Sequence, residues 1–406
     1  MPEIVEREGY RVKIRAEVPA EEVEGAYRLL LEAYRKRARI PGFRPGRVPD
    51  RVLEARIGRQ ALLAEVREEL LDRHLPEAIR ELGLDPVAVR RVEGEPALGA
   101  PFVFEAEIEN YPEVELPDWK GFELEAGVPE VGEEAVEAAL ADLQRRYAEV
   151  EAVDREAREG DQVVAVTEEG REVVLDLDEA EGEVRAALLG KRAGDEVELP
   201  LVDEEGRPLE KTARLRIKEV REVRRPELDD EFAKTLGYQD LAEAREKIGL
   251  ELRRRAEAQA REARKAEFLE RLAEGLKAEL PPALVEAEER AIWGELAEDL
   301  AKKGIPLEDY LKGLEAEGKL EALKADVRQG AERRVRRGLA LEKLTEELGV
   351  KLEEDEWRAY LEELAGRYGL KPKDFERAVG EEGLRRLYLR RLHDKTLETA
   401  LERLAA

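Results

Sequence analysis

The chain has 406 residues, and 42% of them are charged, against roughly 25% in an ordinary soluble domain. Its 98 acids and 71 bases leave a net charge of −27, which argues against a bulk nucleic-acid binder, while 42% hydrophobic residues can fill several modest cores. Cys is absent and only His74 and His393 exist, so disulfides, thiolate nucleophiles, Cys-based zinc sites and three-histidine metal centres are all ruled out. The longest uncharged stretch, Pro96 to Phe104, is far short of a membrane span, and the first residues lack a basic n-region and an apolar h-region. A cytoplasmic, acidic, multidomain protein with no membrane partner is expected.

Tyr10, Val12, Ile14 and Ala16 alternate with Arg11, Lys13 and Arg15, the period of a half-buried strand. Pro19 opens a helix carrying Val23, Tyr27, Leu30, Leu31 and Tyr34 at three- and four-residue spacing. A Gly/Pro-punctuated loop over Pro41–Pro49 interrupts it. Helical periodicity resumes near Asp50 and runs, with breaks, to about Gly83, and strands near Val87–Val92 and Phe102–Ile108 complete an α+β unit. After Pro112 a linker leads to a helix expected over Glu133–Val150. Short Val/Leu strands follow at Gln162–Val166, Glu172–Leu177, Glu196–Leu201 and Ala213–Val223, with turns at Glu169-Gly170, Ala193–Asp195 and Glu205–Pro208. From Leu228 onward the pattern is helical, with breaks at Pro281-Pro282, Gly304–Pro306, Gly349 and Lys371-Pro372.

The loop is the most informative place. Residues 35–59 hold nine bases, Arg35, Lys36, Arg37, Arg39, Arg44, Arg47, Arg51, Arg56 and Arg59, against Asp50 and Glu54. That island of +7 leaves −34 on the other 381 residues. Phe43 sits in the middle of it, between glycines and prolines that restrict the backbone. An aromatic among cations suits a docking tip for a phosphate-rich surface or an acidic protein. The competing reading is a solvated helix-loop-helix with Phe43 folded onto its own core.

Gly42-Phe43-Arg44-Pro45-Gly46-Arg47-Val48-Pro49 resembles the ribosome-binding signature of the trigger factor family, bacterial nascent-chain chaperones. That family usually has Phe-Arg-Lys followed by Gly-Lys; here Pro45 replaces the first Lys and Arg47 the second. Val220 to Ala233 resembles the family's exit from its isomerase domain, and Leu280–Val285 the start of a helix in its C-terminal domain. Ala340–Leu344, with Gly349-Val350 and Glu353-Glu354, resembles a later helix pair. The resemblance implies a multidomain α+β fold. Residues 1–112 would form the ribosome-binding domain, and 113–150 a linker and helix packing with the C-terminal domain. Residues 151–227 would form a shortened β-rich FKBP-like domain, and 228–406 a long all-helical chaperone domain. It assigns Gly42, Phe43, Arg44, Pro45, Gly46, Arg47 and Pro49 to ribosome binding. It also implies an ATP-independent chaperone that meets the large subunit near the exit tunnel, shelters nascent and unfolded polypeptides, and forms a homodimer off the ribosome. No cofactor, metal ligand or catalytic residue is expected.

The middle segment departs from that family. Leu189–Val197 fits the FKBP-type isomerase pattern, yet residues 148–231 contain no Phe, Tyr or Trp. The family's Ile-Pro-Gly-Phe-Glu-like stretch is replaced by Glu179–Arg185. An isomerase must lower an amide barrier of about 18–20 kcal/mol by favouring the twisted bond, which takes a shaped apolar pocket rather than proton transfer. Val163, Val164, Val166, Val174, Leu175, Leu177, Leu188, Val197, Leu199, Leu215 and Ile217 can still build a core. The reading is a retained fold with an eroded site; the alternative is an active prolyl isomerase that the other domains carry to the ribosome. Elsewhere, Gly313–Leu320 nearly spells a P-loop, but Leu320 stands where Ser or Thr would hold magnesium, and no strand precedes it. His74 reads as a packed helix residue, and His393-Asp394 lacks a companion that would make a site.

Overall fold

In the computed structural model, described over residues 1–41, 43–44, 46–167, 170–180, 182–202 and 208–405, the side chains of 200–202, 208–211 and 405 excepted, two compact units divide the chain. One comprises Met1–Glu125 with Arg264–Ala406, the other Ala126–Ala263.

The first unit begins with a four-stranded antiparallel sheet of β1 (Glu3–Glu8), β2 (Arg11–Val18), β3 (Pro86–Glu93) and β4 (Phe102–Asn110), in the order β1-β2-β4-β3. Helices α1 (Ala20–Arg37), α2 (Asp50–Ile57) and α3 (Arg59–Glu81) join β2 to β3. The alternation in β2 does what its period requires: Val12, Ile14, Ala16 and Val18 are buried beside Phe102, Phe104, Ala106 and Ile108 of β4. Val23, Tyr27 and Leu31 of α1 and Leu62, Val66 and Leu70 of α3 close that core from above. On the other face Lys13 and Arg15 pair with Glu105, at 2.7 and 2.6 Å. The interrupted helical stretch expected over 50–83 is two helices, divided where Gly58 adopts φ +97. β1 leaves no mark in the sequence: all six of its residues are exposed, so it has no buried face to set an alternation.

The rest of this unit is helical: the end of α7 (Leu241–Glu274), α8 (Pro282–Lys302), α9 (Leu307–Ala316), α10 (Leu320–Leu348), α11 (Glu354–Arg367) and α12 (Pro372–Ala405). Trp119 packs edge-on against Phe268 among Leu272, Val335, Leu339, Leu344 and Leu397. A smaller cluster, Leu361, Ala365 and Phe375 with Trp357 and Leu387, holds α11 to both halves of α12. Between the halves of α12 the backbone leaves the helix at Gly380, with φ 72 and ψ 172. The near P-loop at 313–320 is the turn between α9 and α10, closed by Gly318 at φ +71.

The second unit holds α4 (Glu133–Arg146), β5 (Glu149–Val153), β6 (Gln162–Thr167), β7 (Glu172–Asp176), α5 (Gly182–Leu188), β8 (Glu196–Val202), β9 (Pro208–Arg224), α6 (Asp230–Thr235) and the start of α7. Its antiparallel sheet runs β5-β9-β6-β7, with β8 also on β9. The helix expected to reach Val150 stops at Arg146, since residues 149–153 pair with 220–224 as a strand. Tertiary pairing overrides the helix propensity of Glu and Ala there. Val163, Leu177, Leu188, Val197, Leu199, Leu215 and Ile217 form the core as expected. Val174 does not; it is 54% exposed, because β7 is an edge strand and the sheet face it occupies is uncovered there. The turn at Glu169-Gly170 is described only at Gly170, and that at Glu205–Pro208 only at Pro208.

Candidate functional site

The loop between α1 and α2 is pinned at its base and free at its tip. Ala38 and Ile40 rest against the N-terminal core, and Val48, only 1% exposed, plugs into it at the far end. Between these anchors the chain makes two short internal hydrogen bonds. The Phe43 amide donates to the Ile40 carbonyl at 3.1 Å, and the Arg47 amide to the Arg44 carbonyl at 2.9 Å. Gly46 takes φ +80, which a side chain would resist. Pro49 then caps α2, its carbonyl accepting from Val52 and Leu53. Phe43 is 40% exposed, and Arg44, Gly46, Arg47 and Pro49 are exposed beside it. Gly42 and Pro45 lie outside the described residues.

Both acids of the basic island are paired within it. Arg35, in the last turn of α1, binds Asp50 at the start of α2 and ties the two ends of the loop together. Glu54 accepts from the Tyr27 hydroxyl at 3.1 Å and from Arg59 at 3.4 Å. Burial, then the Glu54 carboxylate, pushes the Tyr27 hydroxyl above its ordinary pKa. Arg37, Arg39, Arg44, Arg47, Arg51 and Arg56 form no ion pair among the described residues. The loop therefore offers one aromatic ring and a field of unpaired guanidinium groups, ready for an acidic or phosphate-bearing surface. The sequence shows the cations and the ring; it does not show that Val48 anchors the loop or that Asp50 neutralises Arg35.

The helices of the same unit offer apolar surface set among charges. An open cavity of about 780 Å³ lies between α8, α10 and α12, with Leu284, Val335, Leu339, Leu389 and Leu392 in its walls. His393 is there too, and burial lowers its pKa. Trp357 contacts Tyr360 and Tyr388 with ring centroids 6.0 and 5.4 Å apart, and all three are half-buried. Tyr368 is 71% exposed and stacks on Phe375. Such surfaces can hold loosely matched apolar segments, with the charges at the cavity, among them Glu288, Arg334, Glu342 and Arg385, beside them.

The core of the β-rich module is aliphatic throughout. Its nearest rings, Tyr147 and Phe232, pair edge-to-face with centroids 6.1 Å apart, next to the strand ends Glu149 and Arg224 and apart from that core. His74 sits 3.1 Å from Glu22 and 3.7 Å from Glu77, as a satisfied helix residue would. Among the described residues, no group of three His, Cys, Asp or Glu side chains could hold a metal, and no helix is long and apolar enough to cross a membrane.

Comparison with known proteins bears on the whole chain. Residues 2–143 match the family described as Bacterial trigger factor protein (TF), and residues 240–402 the family described as Bacterial trigger factor protein (TF) C-terminus. The chain is 50% identical over 402 residues to a trigger factor of Thermus thermophilus, covering 99% of each. It is 37% identical over 410 residues to a trigger factor of Deinococcus deserti, covering all of this chain and 94% of that one. A solved structure of a trigger factor chaperone, described for promiscuous substrate recognition in folding and assembly, shares the fold with TM-score 0.61 at 24% identity, covering 100% of both chains.

Proposed function

The chain belongs to the trigger factor family, and from that premise we propose that it is an ATP-independent cytoplasmic chaperone that docks on the large ribosomal subunit near the exit tunnel and shelters emerging polypeptide. Residues 1–112 dock, residues 113–150 with 228–406 hold unfolded segments, and residues 151–227 persist as an FKBP-like fold with little isomerase activity. Off the ribosome it forms a homodimer. One observation carries this reading: Phe43 stands exposed amid arginines without ion-pair partners, on a chain of net charge −27. Gly42, Phe43, Arg44, Pro45, Gly46, Arg47 and Pro49 form the docking loop, with Phe43 as the apolar anchor and Arg44 and Arg47 as its flanking charges. Apolar cavity walls and half-buried rings in the helical region suit weak, promiscuous contact. No nucleotide is needed, because a client that folds buries its own apolar surface and leaves. Cosedimentation with ribosomes tests the assignment. The parent chain should pellet with them and the Phe43→Ala/Arg44→Ala double variant should not; equal pelleting of both would sink it.

A further inference from the structure

Neither docking nor client holding explains the paired prolines Pro281 and Pro282 at the start of α8, and they create a definite physical problem. Pro281 caps α8 and Pro282 is its first residue, so neither brings an N–H, and the first amide of the helix is that of Ala283. The amides of Leu284 and Val285 turn back to the Pro281 carbonyl, at 3.0 and 3.5 Å. α8 has no side-chain cap of its own, so the Ala283 N–H stands at the positive end of the helix without a partner from that helix. Its partner comes from the N-terminal sheet: Oε2 of Glu109, in β4, accepts from Ala283 at 2.8 Å.

Glu109 is 7% exposed, and a carboxylate so placed needs more than one donor. Arg90, on the neighbouring strand β3, supplies two, at 2.6 and 3.3 Å. The same guanidinium turns its other side to Glu286, one turn into α8, with two bonds of 3.0 Å. Hydrogen bonds to both carboxylates, Glu109 first, raise the Arg90 pKa above its ordinary value. The sequence of contacts leaves α8 at Ala283, crosses Glu109 and Arg90, and returns to α8 at Glu286. A second tie lies close by, where the Tyr111 hydroxyl binds Glu342 of α10.

We infer that Arg90, Glu109 and Glu286 form a latch by which the N-terminal sheet supplies the cap that α8 lacks, and so fixes the direction in which α8, and the α9 and α10 helices packed on it, leave that sheet. Resting on the function proposed above, this makes Glu109 and Arg90 positioning residues: they lie outside the docking loop, yet they set where the client-holding helices stand once the loop is docked.

The chain has no cysteine, so Arg28→Cys on α1 and Glu315→Cys on α9 can carry a pair of spin labels in the full-length protein, and the distance between them can be measured directly. The labelled parent should give one narrow distribution. Glu109→Ala should widen it about twofold or more, because it removes the acceptor of the Ala283 N–H and one of the two carboxylates that hold Arg90. Glu109→Gln keeps an acceptor for Ala283 but loses the charge, so it should fall between the two. If Glu109→Ala does not fold, Glu109→Gln and Glu286→Gln decide the matter in the same way. A distribution as narrow as the parent's in the folded variants, or a broad one in the parent, overturns the latch. Ribosome cosedimentation of the latch variants should equal the parent's, while crosslinking to a stalled nascent chain should drop. A parent that fails to cosediment overturns the docking function and leaves the distance result, and the latch, standing.

Discussion

The N-terminal domain and the β-rich module are both small antiparallel sheets accompanied by helices, yet they use aromatic side chains in opposite ways. In the first, Phe102 and Phe104 are fully buried with their centroids 5.7 Å apart, Tyr27 closes the core, and Phe43 is left outside on a loop built to present it. In the second, the core is Val, Leu, Ile and Ala alone, and Tyr147 and Phe232 pair with each other beyond it. A core needs volume, which aliphatic side chains supply as well as rings do. A site needs fixed shape, which they supply poorly. The lack of rings in the module therefore says nothing against its fold and much about its chemistry, whereas one ring left exposed in an otherwise satisfied domain points to a partner.

The sharpest way to break this contrast is to assay prolyl isomerisation. If each lost aromatic wall removes about 2–3 kcal/mol of transition-state stabilisation, the rate falls tens- to more than a hundred-fold per wall. The intact chain should then catalyse rotation of a short Xaa-Pro peptide barely faster than solvent, and activity matching an aromatic-bearing FKBP domain would overturn the eroded-site reading.

Next in size is the module's own buried charge. Asp161 is 3% exposed and accepts from Arg155 at 2.5 and 2.9 Å and from the Arg158 amide at 2.8 Å. Asp161→Ala should destabilise the module by about 1–3 kcal/mol, read from denaturant unfolding, because the Arg158 amide loses its acceptor and Arg155 keeps only one carboxylate, Glu222, at 3.2 Å.

The loop should behave the other way. Phe43→Ala should weaken ribosome binding by about 1–3 kcal/mol while leaving the unfolding midpoint nearly unchanged, since the ring adds little to the core. A large loss of stability would mean that Phe43 is a core residue in solution.

The smallest effect is the dependence on acid. Hydrogen bonds from Lys13 and Arg15 hold the Glu105 carboxyl below its ordinary 4.5. A carboxylate depressed by folding stabilises the fold above its unfolded value and loses that contribution as pH falls through the lower, folded one. Glu105→Gln should thus lower stability slightly at neutral pH, and the gap to the parent should close below about pH 4.5. In the module Lys218 depresses Glu172 in the same way, so Glu172→Gln should show a similar small trend.

Much of the fold is legible from the chain because it is written in short-range patterns. The period of β2, the spacing in α1 and the punctuation of 41–49 all concern neighbours within a few residues. β1 is not legible, since a strand exposed on both faces has no alternation to read. The first two residues of β5 read as the end of a helix because Glu-Val-Glu-Ala-Val becomes a strand only by pairing with β9, far along the chain. Val174 reads as core because its type suits one, while its exposure follows from the edge position of β7. In the loop, Phe43 and the arginines can be found by composition. The anchor at Val48 and the pairing of Arg35 with Asp50 depend on how the two helices close. Glu109, whose partner Ala283 lies 174 residues away, is one glutamate among many until the fold brings them together.

The break at Gly380 has a thermodynamic consequence of its own. Its φ of 72 with ψ of 172 is a conformation open almost only to glycine, although a methyl group there would meet nothing within 4 Å. The constraint is therefore purely in the backbone, and it interrupts the hydrogen-bond ladder that would otherwise carry cooperativity along α12. Side chains carry it across the break instead: the cluster that seats α11 takes in Phe375 and Val379 before Gly380 and Leu384 and Leu387 after it, and Tyr388 packs on Trp357. In native-state hydrogen exchange, amides of α11 and of residues 372–379 should therefore open together with those of residues 384–388, despite the broken ladder between them.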